Sequence, residues 1–271
     1  MKEYLSPAKI NIGLHIISKR EDGYHNIETI FYPIKLFDRL IFSESNKFEI
    51  VCSDLSIPND ERNLIYKAKQ ILSDYVQKDF KIKIELKKVI PAFAGLGGGS
   101  SNAAITLIAL NEIFDLKLTQ KELFDLSSKI GSDVPFFILD SPAYAEGRGE
   151  ILTPLTEFKL NYKVLLIVPQ IKISTAWAYS NFKSSTKQFD LSLIKNSNDF
   201  ENFKNKITND FEAIVFPVYP ELQEIKNKLI ELGASFALMS GSGSSIYGLF
   251  DRNFNLDEIS TNFQKYKVFI C

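Results

Sequence analysis

Pro91-Ala92-Phe93-Ala94-Gly95-Leu96-Gly97-Gly98-Gly99-Ser100-Ser101 packs four of the chain's 13 glycines into five positions, directly before a stretch with helical spacing of apolar residues. An ordinary turn needs one glycine, and each further one costs roughly 0.5–1 kcal/mol of conformational entropy. Close approach offsets that cost. Without Cβ atoms, successive backbone N–H groups can turn toward one point, and a following helix adds partial positive charge at its start. Phosphate is the natural guest of such a loop. The plainer reading is a flexible turn between strand and helix. Neither common nucleotide fingerprint fits, because Ser100 rather than lysine follows the glycines and no starting glycine satisfies G-x-G-x-x-G.

Upstream of the loop, Ile82, Ile84 and Leu86 alternate with Lys83 and Glu85, a strand that Pro91 closes. Downstream, Ala104, Leu107, Ile108 and Ile113 predict a helix over 100–114, with Ser100 or Ser101 as its cap. A second helix follows over 119–130. Thr119 and Glu122 form its capping box, and Gly131 ends it, delivering Ser132-Asp133. Further out, Leu64, Ala68, Ile71, Leu72 and Tyr75 predict a helix over 63–77. Residues 9–16 alternate strictly, a half-buried strand with Lys9, Asn11, Gly13 and His15 on its polar face. Residues 27–42 read as more strand, interrupted by a turn at Asp38-Arg39. The pattern loosens around 153–163 before an apolar strand at 164–168. Residues 183–209 read as helices joined by solvated loops, and 221–232 as a helix stopped by Gly233. A turn at 240–244 leads to a strand over 245–250. The fold class is α+β with a boundary near residue 155, giving domains 1–155 and 156–271.

A chain of 271 residues that is 45% apolar can bury a full core. Its net charge of -1 comes from 32 basic and 33 acidic side chains with no basic block, which argues against a nucleic-acid partner. Cys52 and Cys271 stand far apart with no CxxC pair, so neither a disulfide framework nor a zinc site is indicated, and a reducing cytoplasm is expected. No charged-then-apolar leader opens the sequence, and its longest apolar runs fall well short of the ~18 residues that span a bilayer. A cytoplasmic protein with no membrane partner is the expectation.

Pro7-Ala8-Lys9-Ile10-Asn11, the loop from Pro91 to Ser101, and Met239-Ser240-Gly241-Ser242-Gly243-Ser244 resemble, in that order, the three motifs of the GHMP kinases. Asp22-Gly23-Tyr24-His25, Ser132-Asp133-Val134-Pro135-Phe136-Phe137 and Gly147-Arg148-Gly149-Glu150 resemble the branch whose acceptor is a cytidine-diphosphate-linked alcohol. The resemblance runs nearly end to end. It implies a two-domain α+β fold with the site in the cleft between domains. It also implies ATP-dependent phosphorylation of the acceptor's 2-hydroxyl on the non-mevalonate isoprenoid route, with Mg2+ expected and its ligands not legible. A kinase for homoserine or mevalonate is the nearest rival, and a silent module on the same fold, such as an RNA binder, is the rival of another class. Asp-Gly-Tyr-His speaks against the first. Lys9, Asp133 and the missing basic patch speak against the second.

The same resemblance assigns residues. Lys9 and Asp133 would act on the acceptor hydroxyl, Lys9 as the charge that eases deprotonation and Asp133 as base or orienter. Taken alone, Lys9 is a surface lysine and Asp133 a helix cap. Pro91, Ala92, Phe93, Ala94, Gly95, Leu96, Gly97, Gly98, Gly99, Ser100 and Ser101 would bind ATP. Asn63 and Leu64 would meet its adenine side, though Asn63 also suits an N-cap. Tyr24 and His25 would hold the cytosine, Asn11 and Gly241 would touch the substrate, and Tyr179, or else Trp177, would place a second ring over the base. Phe93 departs from the small residue usual at its position, which predicts altered packing beside the adenosine.

Overall fold

The computed structural model describes residues 1–182 and 189–271, so the first part of the 183–209 stretch lies outside the described residues. The chain forms two compact units, neither a single stretch: Met1–Ala8, Lys35–Ala92 and Gly97–Asp140 make the first, and Lys9–Ile34, Phe93–Leu96 and Ser141–Cys271 the second. Two long paired strands, β1 (Lys2–Lys19) and β2 (His25–Glu44), supply residues to both.

In the first unit, β3 (Glu49–Cys52) lies parallel to β4 (Ile82–Lys87), which pairs antiparallel with Arg39–Glu44 of β2. Between them runs α1 (Leu64–Val76), capped by Asn63, whose side chain accepts from the Ile65 amide at 3.0 Å. After the glycines comes α2 (Gly98–Ile113), which buries Ala103, Ala104, Thr106, Leu107, Ala109 and Leu110. These positions surround the helix, the pattern of one enclosed by packing rather than lying on a surface. α3 (Gln120–Ser128) has the expected Thr119–Glu122 capping box, and α4 (Phe136–Leu139) follows.

Two local expectations fail here. No turn breaks β2 at Asp38-Arg39, for Asp38 is fully buried in a continuous strand, its carboxylate accepting from the Val89 and Ile90 amides at 2.7 and 2.9 Å. A buried acid so satisfied does not need the solvent a turn would provide. Helix α2 also starts earlier than the serines. Gly97, at φ 70, is its N-cap, a left-handed conformation that glycine adopts without steric cost.

In the second unit, β5 (Ala143–Glu146) pairs with Thr29–Phe31 of β2 and with β6 (Ile151–Pro154). β7 (Lys163–Val168) lies in an antiparallel sheet of order β10-β7-β9-β8, whose other strands are β8 (Phe236–Met239), β9 (Ile246–Phe250) and β10 (Lys267–Ile270). Helices α5 (Thr175–Ser180), α6 (Ser197–Phe203), α7 (Glu212–Val218) and α8 (Pro220–Glu231) complete it with the short α9 (Leu256–Ser260). Leu165, Ile167, Phe211, Leu222, Leu229, Met239, Ile246 and Phe250 belong to one buried cluster. Each such side chain contributes about 1.5–3 kcal/mol through burial. Gly233, at φ 99, ends α8 as expected. Its amide donates to Ile230 O at 2.9 Å and the Ala234 amide to Leu229 O at 3.0 Å, the paired bonds of a Schellman cap.

The polar face of β1 is not solvated. Lys9 is 4% exposed, Asn11 1% and His15 0%, so both faces of the strand are covered. Asn209, in the stretch read as solvated, is also buried. Alternation reports that two faces differ in polarity; it does not report what covers them.

Candidate active site

In the second unit three separate motifs meet at one hydroxyl. Ser240 Oγ accepts the Asn11 amide at 3.2 Å and donates to Gly95 O at 2.9 Å, joining the first strand, the glycine loop and the serine-rich turn. The close approach explains Gly95. A Cβ there would stand 2.0 Å from Ser240 O, and its φ of 75 is one that L side chains rarely adopt. Lys9 Nζ donates to Asn11 Oδ1 at 2.6 Å and to Gly95 O at 3.2 Å, and lies 5.0 Å from the centre of the Phe31 ring. Asn11 Nδ2 donates to Thr29 Oγ1 at 2.9 Å, and Thr29 passes the bond to Gly13 O at 2.6 Å. The Asn11 carbonyl is held by the fully buried Tyr247 hydroxyl at 2.9 Å. Gly241, at φ 58, lies beside Asn11: a Cβ there would stand 3.4 Å from Asn11 Oδ1, and Gly241 O accepts from Asn209 Nδ2 at 2.8 Å. Lys9 is thus a preset buried cation rather than a mobile surface lysine. The residues fixing it include Thr29, Asn209 and Tyr247, which no local motif marks.

The middle of the loop is anchored by its small apolar side chains. Ala94 and Leu96 are buried at 3% and 1%, Leu96 O accepts the Lys9 amide at 3.0 Å, and Ala94 O accepts the Ser245 amide at 3.3 Å. Phe93 has the opposite setting: it is 67% exposed with φ 57. Left-handed backbone at a bulky residue costs of order 1–3 kcal/mol and is typical of sites that hold ligands.

In the first unit the loop becomes α2. Gly97 has no side chain to cap the helix, so the α2 amides face forward uncovered by a cap, the arrangement that binds anions. Gly98 is pressed from behind. A Cβ there would meet Ile90 Cγ2 at 2.9 Å and Lys88 Nζ at 3.2 Å, whereas at Gly99 the nearest atom would be Leu64 Cδ1 at 3.8 Å. Gly99 is therefore where a ligand can approach the backbone, with Leu64 beside it. Asn63 is occupied at both ends of its amide, accepting from Ile65 N and donating to Pro58 O at 2.8 Å. Ser101 is buried with its hydroxyl accepting from Ser6 Oγ at 2.7 Å, while Ser100 is half-buried at the helix start. Asp133 lies in the turn before α4, where the cap position is Pro135 and makes no side-chain cap bond.

The residues expected on the cytosine side gather in the second unit. Tyr24 is 55% exposed with the Arg148 guanidinium 5.1 Å from its ring centre, and its amide donates to Asp22 Oδ1 at 3.1 Å. His25 stacks on Tyr179 at 4.9 Å and 16°, and Tyr179 meets Phe211 edge-on at 4.9 Å. Trp177 instead packs against Tyr219 at 6.1 Å, so of the two candidate rings Tyr179 is the one beside His25. Burial, and then the charge of Lys19, push the His25 pKa down. A neutral imidazole results near pH 7, offering one donor and one acceptor.

Comparison with known proteins agrees with this arrangement. Two family models match, GHMP kinases N terminal domain over residues 63–141 and GHMP kinases C terminal over residues 191–268. A relative from Azobacteroides pseudotrichonymphae named 4-diphosphocytidyl-2-C-methyl-D-erythritol kinase is 44% identical over 249 residues, 90% of this chain and 92% of its own. A relative of the same name from Thermodesulfovibrio yellowstonii is 42% identical over 96% of this chain and 93% of its own. The crystal structure of a 4-(cytidine 5'-diphospho)-2C-methyl-D-erythritol kinase superposes with a TM-score of 0.85 at 31% identity, covering 99% of this chain and 98% of that one. The chain belongs to the GHMP kinases and, among them, to the 4-diphosphocytidyl-2-C-methyl-D-erythritol kinase family. Among the described residues, no helix is long and apolar enough to cross a membrane.

Proposed function

We propose that this chain transfers the γ-phosphoryl group of ATP to the 2-hydroxyl of 4-diphosphocytidyl-2-C-methyl-D-erythritol, in the cytoplasm, as a step of the non-mevalonate isoprenoid route. The observation that carries the reading is the meeting of Asn11, Gly95 and Ser240 through one hydroxyl, with the Lys9 ammonium bonded into the same cluster. Phosphoryl transfer asks a protein for in-line positioning and charge neutralisation more than for covalent chemistry. Lys9 supplies a positive charge that favours the alkoxide character of the acceptor oxygen, and Asp133 accepts or orients the hydroxyl proton. The α2 amides and Gly99 receive the nucleotide phosphates, with Leu64 on the adenine side. Tyr24 offers an exposed stacking face for cytosine and neutral His25 a donor and an acceptor for its edge, with Tyr179 supporting the imidazole. Domains 1–155 and 156–271 belong to the same reading.

Mg2+ would enter this site as an ion carried by the nucleotide. Among the described residues no three His, Cys, Asp or Glu are grouped to hold a metal, and Mg2+ commonly binds through substrate phosphates and few protein donors. Ser100 would be the protein hydroxyl that holds it, and the ion would neutralise charge on the moving phosphoryl group.

ATP consumption by the purified chain with the cytidyl alcohol, homoserine and mevalonate in parallel tests the assignment. Product should form only with the cytidyl alcohol, and transfer to homoserine or mevalonate with the cytidyl alcohol inert would overturn it. Asp133→Asn should lower turnover by about 10²–10⁴-fold with ATP affinity little changed. Tyr24→Ala should raise the KM for the cytidyl substrate roughly tenfold and leave that for ATP in place.

A further inference from the structure

Beneath the first turn of α2, in the first unit, a buried polar cluster joins four separate segments. Ser6 comes from β1, Asp38 from β2, Lys88 from the end of β4, and Ser101 and Asn102 from α2. The Asp38 side chain is 0% exposed and that of Lys88 7%. One Asp38 oxygen accepts the Val89 and Ile90 amides at 2.7 and 2.9 Å; the other accepts the Lys88 ammonium and, at 3.0 Å, Asn102 Nδ2. Asn102 Nδ2 also donates to Ser6 Oγ at 2.9 Å, Ser6 Oγ donates to Ser101 Oγ at 2.7 Å, and Lys88 Nζ reaches Asn102 Oδ1 at 3.5 Å.

Stability by itself would not select this arrangement. Apolar side chains of equal volume would avoid the desolvation of two charges, and a lysine beside a helix start faces the positive end of the helix dipole. The cluster does something an apolar plug cannot. A single carboxylate fastens both the exit of β4, at Val89 and Ile90, and Asn102 of α2. Those are the two segments that flank the glycine loop. Directional bonds to both fix where the α2 amides point, and Lys88, 3.2 Å from where a Cβ on Gly98 would stand, lies against the back of the loop.

We propose that Asp38, Lys88 and Asn102 are positioning residues that hold the α2 amides in the geometry that receives the nucleotide phosphates. The inference rests on the reading of the glycine loop as the ATP site. Interactions that preset a ligand-binding backbone matter at the scale of an ångström, so loosening them should appear in ATP binding before it appears elsewhere.

The test is calorimetric ATP binding to the full chain, with KM for both substrates, kcat and Tm measured beside it. Asn102→Ala removes no charge and should weaken ATP about tenfold or more while the KM for the cytidyl substrate changes less than about twofold. Asp38→Asn combined with Lys88→Met removes both charges at similar volume and should show the same split. If both variants are folded and bind ATP as tightly as wild type, with only Tm lowered, the cluster is structural and the proposal fails. Should the double variant not fold, Asn102→Ala alone decides. Wild-type protein that phosphorylates nothing and binds no ATP would overturn the reading of the loop itself, an outcome distinct from equal binding by all forms.

Discussion

At Gly95 the glycine loop is held through its carbonyl, which accepts from the Ser240 hydroxyl and the Lys9 ammonium; at Gly98, three residues on, it rests against Ile90 and the ammonium of a buried Lys88–Asp38 pair. Both glycines are required by what lies behind the loop. A side chain on either would strike a fixed neighbour before it met a ligand. Gly99 differs: a Cβ there would make only an ordinary contact, with Leu64 Cδ1 at 3.8 Å. A run that looks uniform thus divides by setting: close packing behind Gly95 and Gly98, left-handed backbone at Gly97, and room for a side chain at Gly99. Counting glycines identifies the loop without saying which of them a ligand uses.

The largest effect should come at Gly95. Gly95→Ala combines a φ of 75 with an overlap at 2.0 Å against a backbone oxygen that cannot swing away. The displaced loop should carry Lys9 and Asn11 with it and lower kcat/KM by about 100-fold or more. Activity near wild type, with a folded protein by circular dichroism, would mean that the contact with Ser240 is dispensable.

Gly98→Ala should act first on stability, because its nearest obstacle is the Ile90 side chain at 2.9 Å. Overpacking of this kind costs about 1–3 kcal/mol, which denaturant unfolding can read. Combining it with Ile90→Ala removes the obstacle, so the double-mutant cycle should show a coupling of roughly 0.5–3 kcal/mol. Strict additivity would remove Ile90 as the reason for the glycine.

The smallest change is expected at Gly99. Alanine fits there at ordinary contact distance from Leu64, and by restricting the unfolded chain it should raise stability by about 0.4–1 kcal/mol while its methyl group weakens ATP. A more stable protein with unaltered ATP affinity would show that phosphate does not approach at Gly99.

Much of the local structure was legible because it depends on near neighbours. The Thr119–Glu122 box, Asn63 as a cap and Gly233 as a stop involve bonds between residues a few positions apart, and each forms as expected. Asp38 shows where such reasoning ends. Asp-Arg between apolar runs is a sound turn signal, yet the acid that would face water in a turn is paired with Lys88 fifty positions away.

Sequence alone determined the order of the three motifs, the caps at Asn63 and Thr119, the stop at Gly233, and the presence of a glycine loop leading into a helix, because all of these are carried by contiguous residues. Only the tertiary structure decided that Lys9 and Asn11 are buried, that α2 begins at Gly98, and which glycines press on a neighbour and which have room for a side chain. The reason is physical. A strand's period shows which side chains share a face, but whether that face meets water or a buried hydroxyl is set by Gly95 and Ser240, brought to it across 86 and 229 positions of chain.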